Sequence, residues 1–436
     1  MNLEAFRSPV RFDLAGLLFI LTMAIALNPS VMGMNLPQGI VVGITVFWLL
    51  AALLLALGKR AKIAESARRL AECGGSAFSY LTKCFLVSKL AIWVYGILLF
   101  VVGVGASQYF STGYTQIASV VLPLCALYLF RNKTIDYLFW ACVVSFIPVV
   151  MFTCLEEGFG CLIAPFQSMV DSVSRNPFEN HQFTFTAAFL LVYYLCLKDE
   201  RGSRDVLSIF VCSVMVLMGF KRILVLSLVA IIALSFVCDR VSPRTRRGIC
   251  RAASVCLFVG CWIWVWLIYS GAFFQIIDDY GIQTMSRVYY YQIVVDSTSF
   301  SPFFPGLGLN AVSNMLTSTY AYLGVGGVHS DVLKYYAEIG FVGFLAWTWF
   351  YLLSLPRLIE RRFGDKAAYG FYLVNIFAFI VYFTDNIDIY LGSQLLYVAI
   401  PFVYAMTKSD GSDESSGVAV RRGVVASGMR QRGRHV

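Results

Sequence analysis

The chain is a series of long apolar runs separated by short polar breaks, and its Lys and Arg residues fall almost entirely in every second break. The runs lie at about 14–34, 39–57, 86–106, 115–130, 135–153, 183–197, 206–219, 223–238, 252–270, 333–355, 368–384 and 389–406. With both termini on one face, the breaks of that face are the N-terminus, 58–89, 131–133, 198–204, 240–251, 357–366 and the tail. Together they hold 29 of the 34 Lys and Arg residues. Such asymmetry is the positive-inside pattern of a polytopic membrane protein with cytoplasmic termini. The five exceptions are Arg175, Lys221, Arg222, Arg287 and Lys334, and they are the residues that need a reason.

Composition agrees. Charged residues are 14% and mean hydropathy is +0.73, against about 25% charged residues in a soluble domain. At roughly 20 apolar residues per crossing, the expected fold is an all-α transmembrane bundle of about 12 helices. Runs 183–197, 206–219 and 223–238 are short for a full crossing and read as thin, tilted or broken helices. The net charge of +9 belongs to loops facing anionic headgroups, so no nucleic-acid partner is implied. The first run lacks a small-residue cleavage site, so no cleavable signal is expected. Most of the 12 cysteines lie in apolar runs and act as small hydrophobes. Cys154 and Cys161 share an outer loop, where pairing as a disulfide stays open.

Residues 1–407 read as one membrane domain, and 408–436 as a disordered basic cytoplasmic tail. Segment 58–85 reads as an amphipathic surface helix. Two outer loops are long, 154–182 and 271–332, the second between the ninth and tenth helices. Long structured loops are usually functional. The late loop contains SRVYYYQIVVDSTSF, which suits a short surface helix, then the turn PFFPGLGLN and the stretch YLGVGGV before His329.

Several residues could carry chemistry. Lys221 and Arg222 sit in a break with almost no loop; they either snorkel to headgroups or face an anionic ligand. Arg287 either stacks on tyrosines or forks onto phosphate oxygens. His329 enters the tenth helix, followed by Asp331 and Glu338. Lys334 and Glu338 are spaced for a plain helix salt bridge, and Ser330 or Asp331 for a cap. His181 lies at the start of the sixth helix, where a polar cap with Asn180 is the plainer reading. Asp385 and Asp388 either line the same cavity or keep a turn wet. No P-loop, GxSxG, HExxH or dinucleotide fingerprint occurs in a plausible context, no Cys/His spacing suits a metal, and no DxD supports a metal-dependent sugar transferase.

The order of SRVYYYQ, a proline-led PGLG turn and HSDVLKYYAEIGFVG resembles the signature region of the O-antigen polymerase/ligase family of bacterial envelope polysaccharide enzymes. GFKRILVLSLVA resembles that family's entry into a middle helix, and the remainder matches only in topology. The resemblance implies metal-independent, cofactor-free glycosyl transfer at the periplasmic face of the bacterial inner membrane. The donor would be an oligosaccharide on undecaprenyl diphosphate. Arg222 and Arg287, with Lys221, would hold the diphosphate, and His329 or Glu338 would take the acceptor's proton. A His with pKa of about 6.5 suits that at neutral pH. Membrane lipid, a flippase and a chain-length regulator are the partners implied. Ser330 stands where the family's ligases commonly carry Asn, and Lys221 where a small polar residue is usual; the expected activity is a repeat-unit polymerase, with a ligase as the alternative. Readings outside the family are a lipid-linked oligosaccharide flippase or transporter and a scaffold.

Overall fold

The structure is a computed structural model. It describes residues 13–27, 30–31, 34–35, 38–58, 75–104, 109–131, 133–170, 176–179, 182–198, 201–282, 284, 287–320, 327–388 and 390–405. The expected tail 408–436, residues 59–74 of the surface helix, Arg175 and His181 therefore lie outside the described residues. Among those described, the only non-helical pairing is a two-residue ladder, Ser30–Val31 against Met34–Asn35.

In chain order the helices are α1 (Leu14–Ala26), α2 (Gln38–Gly58), α3 (Gly75–Val101), α4 (Tyr109–Phe130), α5 (Lys133–Glu157) and α6 (Ala164–Val170). They continue as α7 (Phe183–Val192, extended by a π-turn through Leu197), α8 (Ser203–Gly219), α9 (Arg222–Cys238) and α10 (Pro243–Tyr269). Three short helices of the late loop follow, α11 (Ala272–Tyr280), α12 (Arg287–Ser297) and α13 (Ala311–Ser318), then α14 (Asp331–Trp349), α15 (Leu355–Tyr382) and α16 (Leu391–Ala405). Four stretches are long and apolar enough to cross a membrane: Ser79–Val101, Lys133–Glu157, Pro243–Tyr269 and Asp331–Tyr382. The last joins α14 and α15. Caps start the helices where the sequence offers them. Asp13 accepts from Gly16 N at 2.8 Å, and Ser242 accepts from Thr245 N ahead of Pro243, both filling orphan N–H groups of a first turn.

Burial sorts the helices. Every residue of α7 is buried, as are nearly all of 367–381 and 391–405. By contrast α10 exposes Val255, Val259, Ile263 and Trp266, and α9 exposes Leu226, Val229 and Phe236. Apolar side chains facing outward around a filled centre are what a bilayer solvent demands.

Among the described residues, two groups of polar breaks join distant parts of the chain, while the break 198–204 pairs locally, Lys198 with Asp205. Arg246 pairs with Asp365, and Arg251 reaches both Glu360 oxygens at 2.8 Å, joining segments 240–251 and 357–366. Elsewhere Lys221, His329 and Asp385 meet. The surface helix expected over 58–85 differs in its second half: residues 75–85 belong to α3 and run straight into its apolar part. Arg287–Ser297 is the short helix its sequence suggests, with Tyr290, Tyr291 and Val294 buried. The Cys154 and Cys161 thiols lie 3.4 Å apart, unbonded.

The run 333–355 is helical but broken. Gly340 has φ 67 and ψ −174 inside α14. The freed carbonyls of Ala337 and Glu338 accept from Leu307 N at 2.8 Å and Gly308 N at 2.9 Å, and Phe341 N donates to Phe304 O at 3.0 Å. A Cβ on Gly340 would meet the Pro305 carbonyl carbon at 2.3 Å; one on Gly306, itself at φ 97, would meet Glu338 O at 2.4 Å. The PGLG turn and the EIG break are two halves of one joint, and both need glycine for space and for a left-handed backbone.

Candidate functional site

The second group of polar breaks forms a buried cluster fed by four distant parts of the chain. The first part is the two-residue connection Phe220–Lys221 between α8 and α9. Its shortness leaves Lys221 as the N-cap of α9, in extended backbone with φ −108. The Lys221 ammonium lies 3.2 Å from Asp385 Oδ2 and 4.9 Å from the centre of the Phe185 ring.

The second part is the entry to α14. Ser330 caps this helix by accepting from Leu333 N at 3.2 Å. That settles which of Ser330 and Asp331 is the cap. Asp331 instead clasps the turn after α15: its N–H donates to Asp385 O at 3.3 Å, and its Oδ2 accepts from Asp388 N at 2.9 Å. His329, just ahead of the cap, sits at φ 53, a left-handed conformation uncommon for a non-glycine residue and often found at functional sites. Its carbonyl accepts from the Tyr291 hydroxyl at 3.4 Å, which ties α12 to this bend. Its Nδ1 faces Asp385 Oδ1 at 3.9 Å, beyond hydrogen-bond reach. His329 is 35% exposed while Asp385 is 2% exposed, so the imidazole stands at the mouth and the carboxylate lies behind it.

The third part is the 383–388 turn, supplying Asp385 and Asp388. Burial pushes the Asp385 carboxyl upward, but Lys221, His329 and the Asn386 N–H overcome it and hold the group well below the usual carboxylate range. Opposite charge and hydrogen bonds to the charged form are the physical reasons. The fourth part is Lys89 of α3. Its ammonium lies 3.2 Å from Asp388 Oδ1 and 3.4 Å from the Tyr335 hydroxyl, which itself donates to Asp388 Oδ2 at 2.6 Å.

Two residues of α14 complete the cluster. Lys334 is buried, with its ammonium 5.6 Å from the Tyr335 ring centre. Unlike Lys89 and Lys221, it makes no ion pair among the described residues. The Lys334–Glu338 salt bridge suggested by their spacing is not formed. Glu338 is 1% exposed and turned to the backbone N–H groups of Asn310 and Val312, at the start of α13. Lys334 still acts through charge on the Glu338 carboxylate, whose Oε1 has no hydrogen-bond partner. A buried cation is costly unless it meets an anion; Lys334 lies in the field of the Glu338, Asp388 and Asp331 carboxylates, none of them in direct ion-pair contact. Asp331 Oδ1 and Asn386 Oδ1, buried acceptors without a hydrogen-bond partner, add unused polar capacity nearby.

Two further sequence candidates lie close in the chain to residues of this cluster or in contact with it. Arg222 is exposed beside Lys221, and Arg287 is half-buried one turn before Tyr291; neither makes an ion pair among the described residues. Lys221 is engaged by Asp385, so it sets that carboxylate and is less free for a ligand than the two arginines. Lys89 does not stand out in the sequence because it falls at the edge of the basic break 58–89. Its apolar surroundings, FLVSKLAIW, were the signal that it lies within a helix.

The class the fold and cluster define is a helical protein with membrane-type apolar helices and a polar centre among them. Compared with known proteins, the chain matches no family model and no curated protein.

Proposed function

We propose that the protein is an integral-membrane glycosyltransferase that polymerises lipid-linked polysaccharide repeat units at the periplasmic face of a bacterial inner membrane. The reading takes the twelve apolar runs as spans and both termini as cytoplasmic. The observation that carries it is the placing of a partly exposed His329, at φ 53, in front of Asp385 within a buried cluster of charged residues.

In this reading the acceptor hydroxyl attacks the anomeric carbon of the donor glycan and the bond to undecaprenyl diphosphate breaks. His329 takes the hydroxyl proton, and Asp385 faces the imidazolium that forms. The leaving diphosphate carries away the bonding pair, and its charge is met by fixed cations in a low-dielectric site. Arg222, Arg287 and Lys334 are the unpaired candidates for that task. Lys221 positions Asp385, and Glu338 positions the PGLG turn. A flippase and a chain-length regulator are the partners this function would need.

A second reading has its own support. A helix broken at Gly340 beside a buried Lys89–Asp388 pair also suits a transporter of lipid-linked oligosaccharide. The glycan profile of a deletion strain separates the possibilities. Loss of long chains with single repeats still displayed supports the polymerase. Loss of all attached glycan indicates a ligase, and lipid-linked units accumulating toward the cytoplasm indicate a flippase.

A further inference from the structure

At the other group of polar breaks, Arg251, Arg357 and Arg361 line a cavity of about 230 Å³. Arg251 is held by Glu360, which also meets Arg247 at 3.4 Å; Asp365 is taken by Arg246 and Arg247. The local carboxylates are thus already committed. Arg357 and Arg361 are exposed and form no ion pair among the described residues. They are one turn apart on α15, whose first segment buries Leu355, Pro356 and Ile359 and turns its arginines outward before ending at Gly364, φ 85. Two free guanidinium groups across a cavity from a third form a fork for phosphate oxygens.

What continues from the cavity is apolar. From Arg251, the following turns of α10 expose Val255, Val259 and Ile263. The adjacent helix α14 exposes Leu345 and Trp349. The two helices are in direct contact, with the Trp262 ring 4.7 Å from Phe341 and 5.0 Å from Phe344. A basic cavity therefore caps a seam of outward-facing apolar side chains. A free anion would use only the cavity, whereas a lipid uses both.

We propose that this cavity binds the phosphate of an anionic membrane phospholipid, with its acyl chains lying along the α10–α14 seam. The inference rests on the apolar faces meeting the bilayer and is independent of glycosyl transfer. Basic pockets between helices recognise anionic headgroups by charge, and the seam supplies apolar contact that a soluble phosphate cannot exploit.

The test is native mass spectrometry on the purified full chain in detergent, with equimolar phosphatidylglycerol and phosphatidylcholine of identical acyl chains. The wild type should retain phosphatidylglycerol about tenfold more than phosphatidylcholine, given the contribution of a basic residue near an anionic headgroup. The R357Q/R361Q protein should lose that preference, and R240Q/R244Q, altered at exposed arginines outside the cavity, should keep it. Millimolar inorganic phosphate should leave the wild-type preference in place. Equal retention of both lipids by the wild type overturns the proposal, as does a preference that survives in R357Q/R361Q or vanishes equally in R240Q/R244Q. Complete displacement by inorganic phosphate would assign the cavity to a soluble anion and overturn the lipid.

Discussion

The two groups of polar breaks treat charge in opposite ways. Around Asp385 and Asp388, Lys89 and Lys221 are buried and matched to carboxylates, nearly three hundred residues away in the case of Lys89. Around Glu360 and Asp365, arginines outnumber carboxylates and stand mostly in the open, with Arg247 and Arg251 side chains 41% and 47% exposed. The basic rim reflects a rule of orientation that tolerates many arrangements. The buried pairs tolerate far less: removing one partner leaves the other charge buried, so their geometry is specified residue by residue.

The largest contrast should come from unpairing. Asp385→Ala leaves Lys221 buried without its carboxylate and should cost about 3–5 kcal/mol, seen as a sharp fall in folded protein and in thermal midpoint. Arg247→Ala at the rim should cost less than about 1 kcal/mol. Equal effects would erase the distinction. Next comes the backbone joint. Gly340→Ala must strain a left-handed residue, at about 1–3 kcal/mol, and also drive a Cβ into Pro305. Gly364→Ala carries the same kind of strain, but nothing lies within 4 Å of its Cβ position. Gly340→Ala should therefore be the more damaging of the two in a thermal melt; the reverse order would mean the PGLG–EIG joint is not closed in the folded protein.

The smallest effect concerns pH. Asp385 has a depressed pKa, so its stabilisation is full above the unfolded value of about 3.9 and is lost only as pH falls through the lower folded value. The coupling between Lys221 and Asp385, read from a double-mutant cycle, should stay constant from pH 7 to about pH 4.5. Decay across that window would place the pair in contact with solvent.

The helical, membrane-type character was legible because apolar runs and the placing of Lys and Arg are local properties of the chain. The polar centre was legible only in part. Lys221 stood out as a charge where charge is expensive, His329 by its place at a helix entry with Asp331 behind it, and Asp385 and Asp388 as acids of an outer turn; the structure brings these five together. Lys89 did not, since a lysine at the edge of a basic break looks like loop until its helix is seen to continue on both sides. The Lys334–Glu338 pairing failed for a related reason. Helical spacing counts only neighbours on one helix, and here N–H groups of the late loop compete for the carboxylate. PGLG and EIG were each visible as glycine motifs, but nothing local says that one fills the break in the other. His181 lies outside the described residues.

The most direct test is polymerisation by purified protein in lipid nanodiscs, supplied with undecaprenyl-diphosphate-linked repeat units and read as a ladder of chain lengths. The wild type should extend chains. His329→Gln should slow extension by about 10²–10⁴ while binding the lipid-linked donor as tightly as before, because proton removal and diphosphate binding use different groups. An unchanged ladder in His329→Gln, at equal folded protein, would contradict the assignment of the buried cluster as the catalytic centre.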